Sequence, residues 1–239
     1  DRESFKLAIL YRFQSYKNLI FLNDNGKHMN HIAVSSSDKV KVGCFQFGFV
    51  SYDYKNQIEE LNSIHPDYIG FPEKHLFTPQ IHFVLLEQEV RVRFDSEKYT
   101  KEQIEEIIKQ AIESSYSLSF DSEHLIQPKP RINKASYIEN VEKLQQHIQL
   151  GDIYEVNYCQ EFYAEGVDID PIAMYSLLNK RSPAPFSCFV KHDESFLFCA
   201  SPERYIRKKG PKLISQPIKG TIGRGKDEIQ DLQLKEQLQ

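Results

Sequence analysis

A glycine-rich segment containing a lysine is the part of the sequence best suited to chemistry on an anion. Residues 215–225 read SQPIKGTIGRG, with Lys219, Thr221 and Arg224 set among three glycines. Glycines let backbone N–H groups approach an anion closely, and the three side chains add two cations and a hydroxyl. A lysine that is desolvated near a second cation can lose its proton and act as a nucleophile. The spacing matches neither a Walker loop nor a dinucleotide fingerprint, and a solvated turn is the alternative interpretation.

A carboxylic acid precedes this segment. Glu203 stands in ASPERY, residues 200–205, where a predicted strand leaves the core. A carboxyl group positioned there can protonate a leaving group as a general acid. The same residues are also typical of a turn with a local side-chain cap, so both interpretations stay open.

A third segment, GDIYEVNYCQEF, covers residues 151–162. The glycine is typical of a helix end, and the alternation after it predicts a strand with Glu155 and Asn157 on one face. Polar groups on an inner strand need partners or a ligand, which makes Glu155 a candidate substrate-binding residue. An ordinary helix cap followed by a structural strand is the alternative.

The elements that must position these residues mix helices and short strands. Capping-box patterns predict helix starts at Thr100 with Gln103 and at Ser136 with Glu139, and Pro171 opens a further helix. A polar helix is expected near residue 227. Strands are predicted at 18–22, within 40–54, and at 81–86, 89–94, 153–158, 186–190, 195–200, 205–208 and 212–216.

This pattern predicts an α+β fold with largely antiparallel sheets and flanking helices. The linker-like sequence QPKPR at 127–131 marks the best internal boundary. We therefore expect an N-terminal α+β portion over 1–125 and the start of a second, catalytic portion over 126–239.

Charge and hydropathy exclude several classes of partner. The 239 residues include 30 lysines and arginines against 34 aspartates and glutamates, a formal net charge of −4. That balance argues against general binding of nucleic acid and against a polybasic membrane surface. No apolar run approaches the roughly 18 residues of a membrane span, so no membrane association is expected.

Cysteines and histidines are dispersed along the chain. The four cysteines are Cys44, Cys159, Cys188 and Cys199, all in apolar or aromatic stretches. Their spacing indicates neither a zinc motif nor a disulfide framework, so we expect buried free thiols and a cytoplasmic, reducing compartment. The eight histidines form no metal motif, although a site assembled by folding stays open.

Taken in order, the segments GDIYEVNYCQEF, SPERY and PIKGTIGRG resemble the chorismate-binding enzyme family. Residues 48–53, GFVSYD, resemble a segment from the N-terminal part of the same enzymes. Three motifs in a fixed order are far more specific than any one of them. The resemblance implies this family's fold and an enzyme that acts on chorismate.

Within this family, lysine before Gly-Thr is typical of aminodeoxychorismate synthases, whereas alanine is typical of anthranilate and isochorismate synthases. The resemblance therefore implies formation of 4-amino-4-deoxychorismate for para-aminobenzoate and folate biosynthesis. It gives Lys219 the role of nucleophile and Glu203 that of general acid, while Gly220, Thr221 and Arg224 would hold the substrate. Ammonia would come from a glutamine amidotransferase subunit, and Mg²⁺ would be the cofactor.

Glu155 departs from the family pattern, because water-adding members carry a lysine and other members a glutamine at the matching position. The lack of that lysine argues against an isochorismate synthase. Anthranilate synthase component I is the first alternative, and a non-catalytic regulatory or binding module of the same fold is the second. Family members continue past PIKGT with AEH and RND segments and with acidic residues that hold magnesium. None occurs before Gln239. We therefore expect the N-terminal portion of a longer enzyme, inactive alone and without magnesium ligands.

Overall fold

The computed structural model of the chain describes residues 2–26, 29–115, 126–218, 220 and 222–238. Its helices are α1 (Arg2–Arg12), α2 (Lys55–Ile58), α3 (Lys101–Ser115), α4 (Lys134–Leu150), α5 (Pro171–Arg181) and α6 (Glu228–Gln237), with a 3₁₀ turn at Tyr52–Tyr54. Its strands are β1 (Asn18–Asn23), β2 (Asn30–Ser35), β3 (Phe47–Val50), β4 (Lys74–Phe77), β5 (Ile81–Leu85), β6 (Val90–Phe94), β7 (Lys129–Pro130), β8 (Phe162–Tyr163), β9 (Phe186–His192), β10 (Ser195–Ser201), β11 (Arg204–Lys209) and β12 (Lys212–Gln216).

Two compact units make up the chain. The first comprises Asp1–Leu118 with Pro171–Gln239, and the second comprises Ser119–Asp170. A six-stranded antiparallel sheet in the order β10-β9-β1-β2-β5-β6 lies in the first unit. In its centre β1 pairs with β9, with Asn18 opposite His192. The α+β prediction with largely antiparallel sheets is confirmed.

Different elements cover the two faces of this sheet, because side chains alternate along each strand. On one face, the ring of Tyr175 in α5 contacts Phe21 of β1 and Phe189 of β9, with centroids 5.8 and 5.7 Å away. The other face carries a buried cluster of Ile20, Ala33, Phe77 and Val190, against which Phe47 and Phe49 of β3 pack. Strand β1 is buried on both faces, which explains its nearly continuous apolar sequence.

One of the two predicted capping boxes is confirmed. Thr100 Oγ1 accepts a hydrogen bond from the Gln103 backbone N–H (3.3 Å), and Gln103 Oε1 accepts one from the Thr100 N–H (2.8 Å). The box predicted at Ser136 and Glu139 is wrong, because Asn133 Oδ1 accepts from the Ser136 N–H (2.9 Å) and α4 begins directly after Asn133. Asparagine is among the strongest N-cap residues, so the earlier start prevails.

The strand predicted over 153–158 is also wrong, because those residues form no ladder and only Phe162–Tyr163 pairs, with Lys129–Pro130. Within the run 40–54, the strand is limited to β3, and Tyr52–Tyr54 form the 3₁₀ turn. The expectation of buried thiols fails at Cys44 and Cys159, which are exposed, while the other two cysteines are half-buried. Local alternation and apolar neighbours do not ensure burial where no second element covers the segment.

The hairpin predicted at 81–94, the helix opened by Pro171 and the strands from 186 onward are confirmed. The sheet of the first unit joins strands from both predicted portions, 1–125 and 126–239, and that functional division stays a prediction. Among the described residues, no helix combines the length and apolar character that a membrane span requires.

Candidate functional site

The β11–β12 hairpin brings two of the three candidate segments to the same end of one element. Arg204, which begins β11, is paired with Gln216, which ends β12. Glu203 therefore immediately precedes this pair, and PIKGTIGRG at 217–225, called here the lysine segment, immediately follows it. The Arg204 Nε donates a hydrogen bond to Gln216 Oε1 (3.1 Å), and its guanidinium lies 4.7 Å from the Phe186 ring centroid. These contacts hold Glu203 and the start of the lysine segment next to each other.

Glu203 sits in a local turn that presents its side chain to solvent. Ser201 Oγ donates a hydrogen bond to the Glu203 carbonyl (3.2 Å) and accepts one from the Glu203 N–H (3.4 Å). The backbone is therefore held by serine while the carboxyl group stays accessible. A turn and an available acid are thus compatible at this position.

The end of the lysine segment is held against α6 by Asp231. Its carboxylate accepts hydrogen bonds from Arg224 Nε (2.8 Å) and the Gly225 N–H (2.8 Å), with Arg224 Nη2 at 2.7 Å. The Gly225 hydrogen bond and then Arg224 keep the pKa of Asp231 below its ordinary value, although partial desolvation opposes them. Glycine is required at 225, since a Cβ would lie 2.2 Å from the Asp231 backbone nitrogen. Arg224, predicted to bind substrate, therefore has an internal carboxylate partner.

Gly220 takes the left-handed backbone conformation, with φ +80°. A Cβ at this position would also come within 3.2 Å of Leu238 Cδ2. A glycine is therefore favoured here by its backbone angle and by its close neighbour. Lys219 and Thr221 lie outside the described residues, and their predicted roles stay predictions.

Glu155 belongs to the second unit, in a segment that contacts α4 through Tyr158. Tyr158 stacks on Tyr137 of that helix, with centroids 5.1 Å apart, and its hydroxyl accepts a hydrogen bond from Asn140 Nδ2 (2.8 Å). Glu155 and Asn157 are exposed in irregular backbone, not on an inner strand. Helix packing therefore replaces the sheet pairing that was expected for this segment.

The one group of three potential metal ligands among the described residues does not have the composition that magnesium prefers. Mg²⁺ prefers near-octahedral oxygen ligands, commonly carboxylates with water. Among the described residues, one group of acidic, histidine or cysteine side chains is close enough to hold a metal: Asp38, His75 and His192. Two nitrogen ligands of three do not suit Mg²⁺.

The chain thus combines antiparallel sheets and flanking helices with an acid and a glycine-rich segment at one end of the β11–β12 hairpin. The profile of the family described as chorismate binding enzyme matches residues 9–239. The chain therefore belongs to the chorismate-binding enzyme family.

The curated relatives include enzymes of two different names. Anthranilate synthase component 1 of Thermus thermophilus is 27% identical over 206 residues, covering 80% of this chain and 42% of that protein. Aminodeoxychorismate synthase component 1 of Bacillus subtilis is 24% identical over 207 residues with the same coverages. Its counterpart from Klebsiella aerogenes is 35% identical over 100 residues, 42% of this chain and 22% of that protein. The chain thus spans less than half the length of these relatives.

Solved structures support the fold. Anthranilate synthase component I of Streptococcus pneumoniae matches with a TM-score of 0.54 and 22% identity, over 82% of this chain and 50% of that one. The menaquinone-specific isochorismate synthase of Escherichia coli matches with a TM-score of 0.53 and 15% identity, over 97% of this chain and 55% of that one.

Sequence reasoning missed Asp231 as the residue that anchors the lysine segment. The polar helix after residue 227 was expected, and Asp227 caps it by accepting from the Gln230 N–H (2.8 Å). The signal in the sequence is Asp231, one turn into that helix and shortly after Arg224-Gly225. An aspartate at that position can accept hydrogen bonds from both residues.

Proposed function

We propose that the protein containing this chain is component I of an aminodeoxychorismate synthase, which converts chorismate and ammonia to 4-amino-4-deoxychorismate. The observation that carries the proposal is Lys219 in PIKGT, where the resemblance places alanine in anthranilate and isochorismate synthases. The similarity to the Bacillus subtilis and Klebsiella aerogenes enzymes of that name supports it.

The reaction exchanges a hydroxyl for an amine in two displacement steps. The neutral amine of Lys219 bonds to C2 of chorismate, the ring double bonds shift, and the C4–O bond breaks as Glu203 protonates the departing hydroxyl to water. Ammonia then bonds to C4, the double bonds shift back, and the C2–N bond breaks to free Lys219. The new ammonium group returns a proton to Glu203. The exposed position of Glu203 beside the start of the lysine segment supports this pairing of roles.

Substrate recognition rests on the remaining lysine-segment residues. Gly220 and Thr221 hold the substrate. Arg224 releases Asp231 and binds one of the substrate's carboxylates in its place. Glu155 is proposed as a further substrate-binding residue without an assigned step. Magnesium as cofactor and a glutamine amidotransferase as the ammonia source are further parts of the proposal.

The test uses the full-length protein with chorismate and ammonium chloride, so that no amidotransferase is needed. Lys219→Ala should lower formation of 4-amino-4-deoxychorismate about 10³-fold or more, because a covalent step is lost. Lys212→Ala is the matched control, since this exposed lysine lies at the other end of the same hairpin. Product is measured by liquid chromatography with mass spectrometry. Unchanged turnover by the Lys219 variant would remove it from the nucleophile's role.

Anthranilate synthase component I is the second candidate. It is favoured by the slightly higher identity to the Thermus thermophilus enzyme, 27% against 24% for the Bacillus subtilis aminodeoxychorismate synthase over alignments of similar length. The same assay separates the two reactions, because anthranilate is aromatic and fluorescent. Release of anthranilate without the amino-deoxy product would replace the leading proposal with this one.

A further inference from the structure

Two histidines and an aspartate from separate parts of the first unit converge on one buried asparagine. Asp38 follows β2, His75 lies in β4, and His192 ends β9. One donor atom from each lies within 4.8 Å of the other two. Asn18, at the start of β1, is fully buried and contacts all three.

The three side chains surround the Asn18 amide at hydrogen-bond distances. His75 Nε2 and His192 Nδ1 lie 3.0 and 2.8 Å from Asn18 Oδ1. Asp38 Oδ1 lies 2.8 Å from Asn18 Nδ2 and 3.7 Å from His75 Nε2. Ligands about 2.1 Å from a tetrahedral zinc ion stand about 3.4 Å apart. The observed separations fall on both sides of that value, so small side-chain movements suffice to enclose an ion.

We propose that Asp38, His75 and His192 bind a zinc-type transition metal ion, with the amide oxygen of Asn18 as the fourth ligand. Two imidazoles with two oxygens suit Zn²⁺ and its neighbours, whereas Mg²⁺ and Ca²⁺ take oxygen ligands. Four protein ligands make this a closed, structural site. The ion links the two-stranded β3–β4 sheet and the loop after β2 to the central strands β1 and β9.

Metal binding requires neutral imidazoles and an ionised carboxylate. Burial and the neighbouring His192 lower the pKa of His75. Burial alone would raise the pKa of Asp38, but hydrogen bonds from Asn18 and Lys17 outweigh it and hold that pKa below its ordinary value.

Neighbouring charges explain how the ion is accommodated. For His75 Nε2 and His192 Nδ1 to bind the ion, each neutral ring must carry its proton on its other nitrogen. For His192 that nitrogen is Nε2, which lies 3.5 Å from Asp193 Oδ2, an acceptor for this proton. Lys17 is ion-paired with Asp38 and lies 3.7 Å from Asp193 Oδ2. Lys17 therefore competes with the metal for Asp38 and has an alternative partner when the metal binds.

The experiment is a calorimetric titration of ZnCl₂ into the untagged, chelator-treated full chain, repeated with Co²⁺ to record the visible absorption of a tetrahedral site. We expect one ion per chain. His75→Gln and His192→Gln should each weaken binding about 100-fold or more. His65→Gln is the matched control, because this exposed histidine lies outside the cluster, and it should bind like the wild type.

Two further variants keep the test decisive if a histidine variant misfolds, as judged by circular dichroism. Asp38→Asn alters an exposed ligand and should weaken binding about tenfold or more, whereas Lys17→Gln removes the competitor and should strengthen it. The proposal is overturned if the wild type takes up no zinc, or if Asp38→Asn and both histidine variants bind as tightly as the His65 control.

Discussion

Acidification from pH 8 to pH 4.5 should destabilise the first compact unit through one histidine. His82 lies in β5 with 4% of its surface exposed. Its Nε2 is 3.0 Å from Nδ1 of His31, and its own Nδ1 has no hydrogen-bond partner among the described residues. Burial first, and then the charges of His31 and Arg93, lower the pKa of His82 from 6.5 to about 4.

The direction of the effect follows from the lowered pKa. As the pH falls, the unfolded chain protonates this histidine before the folded chain does, so protonation favours unfolding. The stabilisation is complete above pH 6.5 and is lost progressively toward pH 4. At about 1.4 kcal/mol per pKa unit, the full difference is about 3 kcal/mol, and most of it is lost by pH 4.5.

The assay compares His82→Phe with the wild type by urea unfolding at both pH values, followed by circular dichroism because the chain has no tryptophan. Phenylalanine keeps an aromatic ring beside Phe45 and Phe47, whose centroids lie 6.1 and 4.8 Å from His82, and it cannot titrate. The wild type should lose roughly 2 kcal/mol more than the variant. His65→Phe, at an exposed position, should behave like the wild type. Equal losses in the wild type and His82→Phe would refute the reasoning.

Other expected outcomes concern the lysine segment and the cysteines. Gly225→Ala should speed tryptic cleavage between β12 and α6, because the added methyl group would clash with the Asp231 backbone at a cost of roughly 1–3 kcal/mol. Gly223→Ala should not, because a Cβ at that position would meet open space. Asp231→Ala should accelerate hydrogen exchange of the Gly225 amide, and an unchanged rate would contradict that contact. Iodoacetamide should label Cys44 and Cys159 in the native protein before the other two cysteines, as peptide mass spectrometry can show.

Local patterns predicted the elements whose stabilising contacts are themselves local. The Thr100 and Gln103 box closes within one helical turn, and the strands of the β5–β6 hairpin are neighbours in sequence. The strand expected at 153–158 failed because alternation does not say whether a partner strand exists. Tyr158 instead packs on α4 through Tyr137 and Asn140.

Contacts between distant residues were beyond prediction from one sequence. The sequence shows that Glu203 precedes the lysine segment. Their closeness in space, however, depends on the pairing of Arg204 with Gln216. The convergence of His75 and His192 depends on the register that places Asn18 opposite His192, and nothing local encodes that register.

The pairing of β1 with β9 has a consequence for the order of events during synthesis. Strand β1 leaves the ribosome long before Phe186–His192, which completes one of its edges. At about 5–20 residues per second, that delay is on the order of ten seconds or more. Until then an apolar strand presents unpaired N–H and C=O groups that can recruit other chains. Shortened versions that end before residue 186 should therefore aggregate, and nascent chains at this stage are natural clients of chaperones.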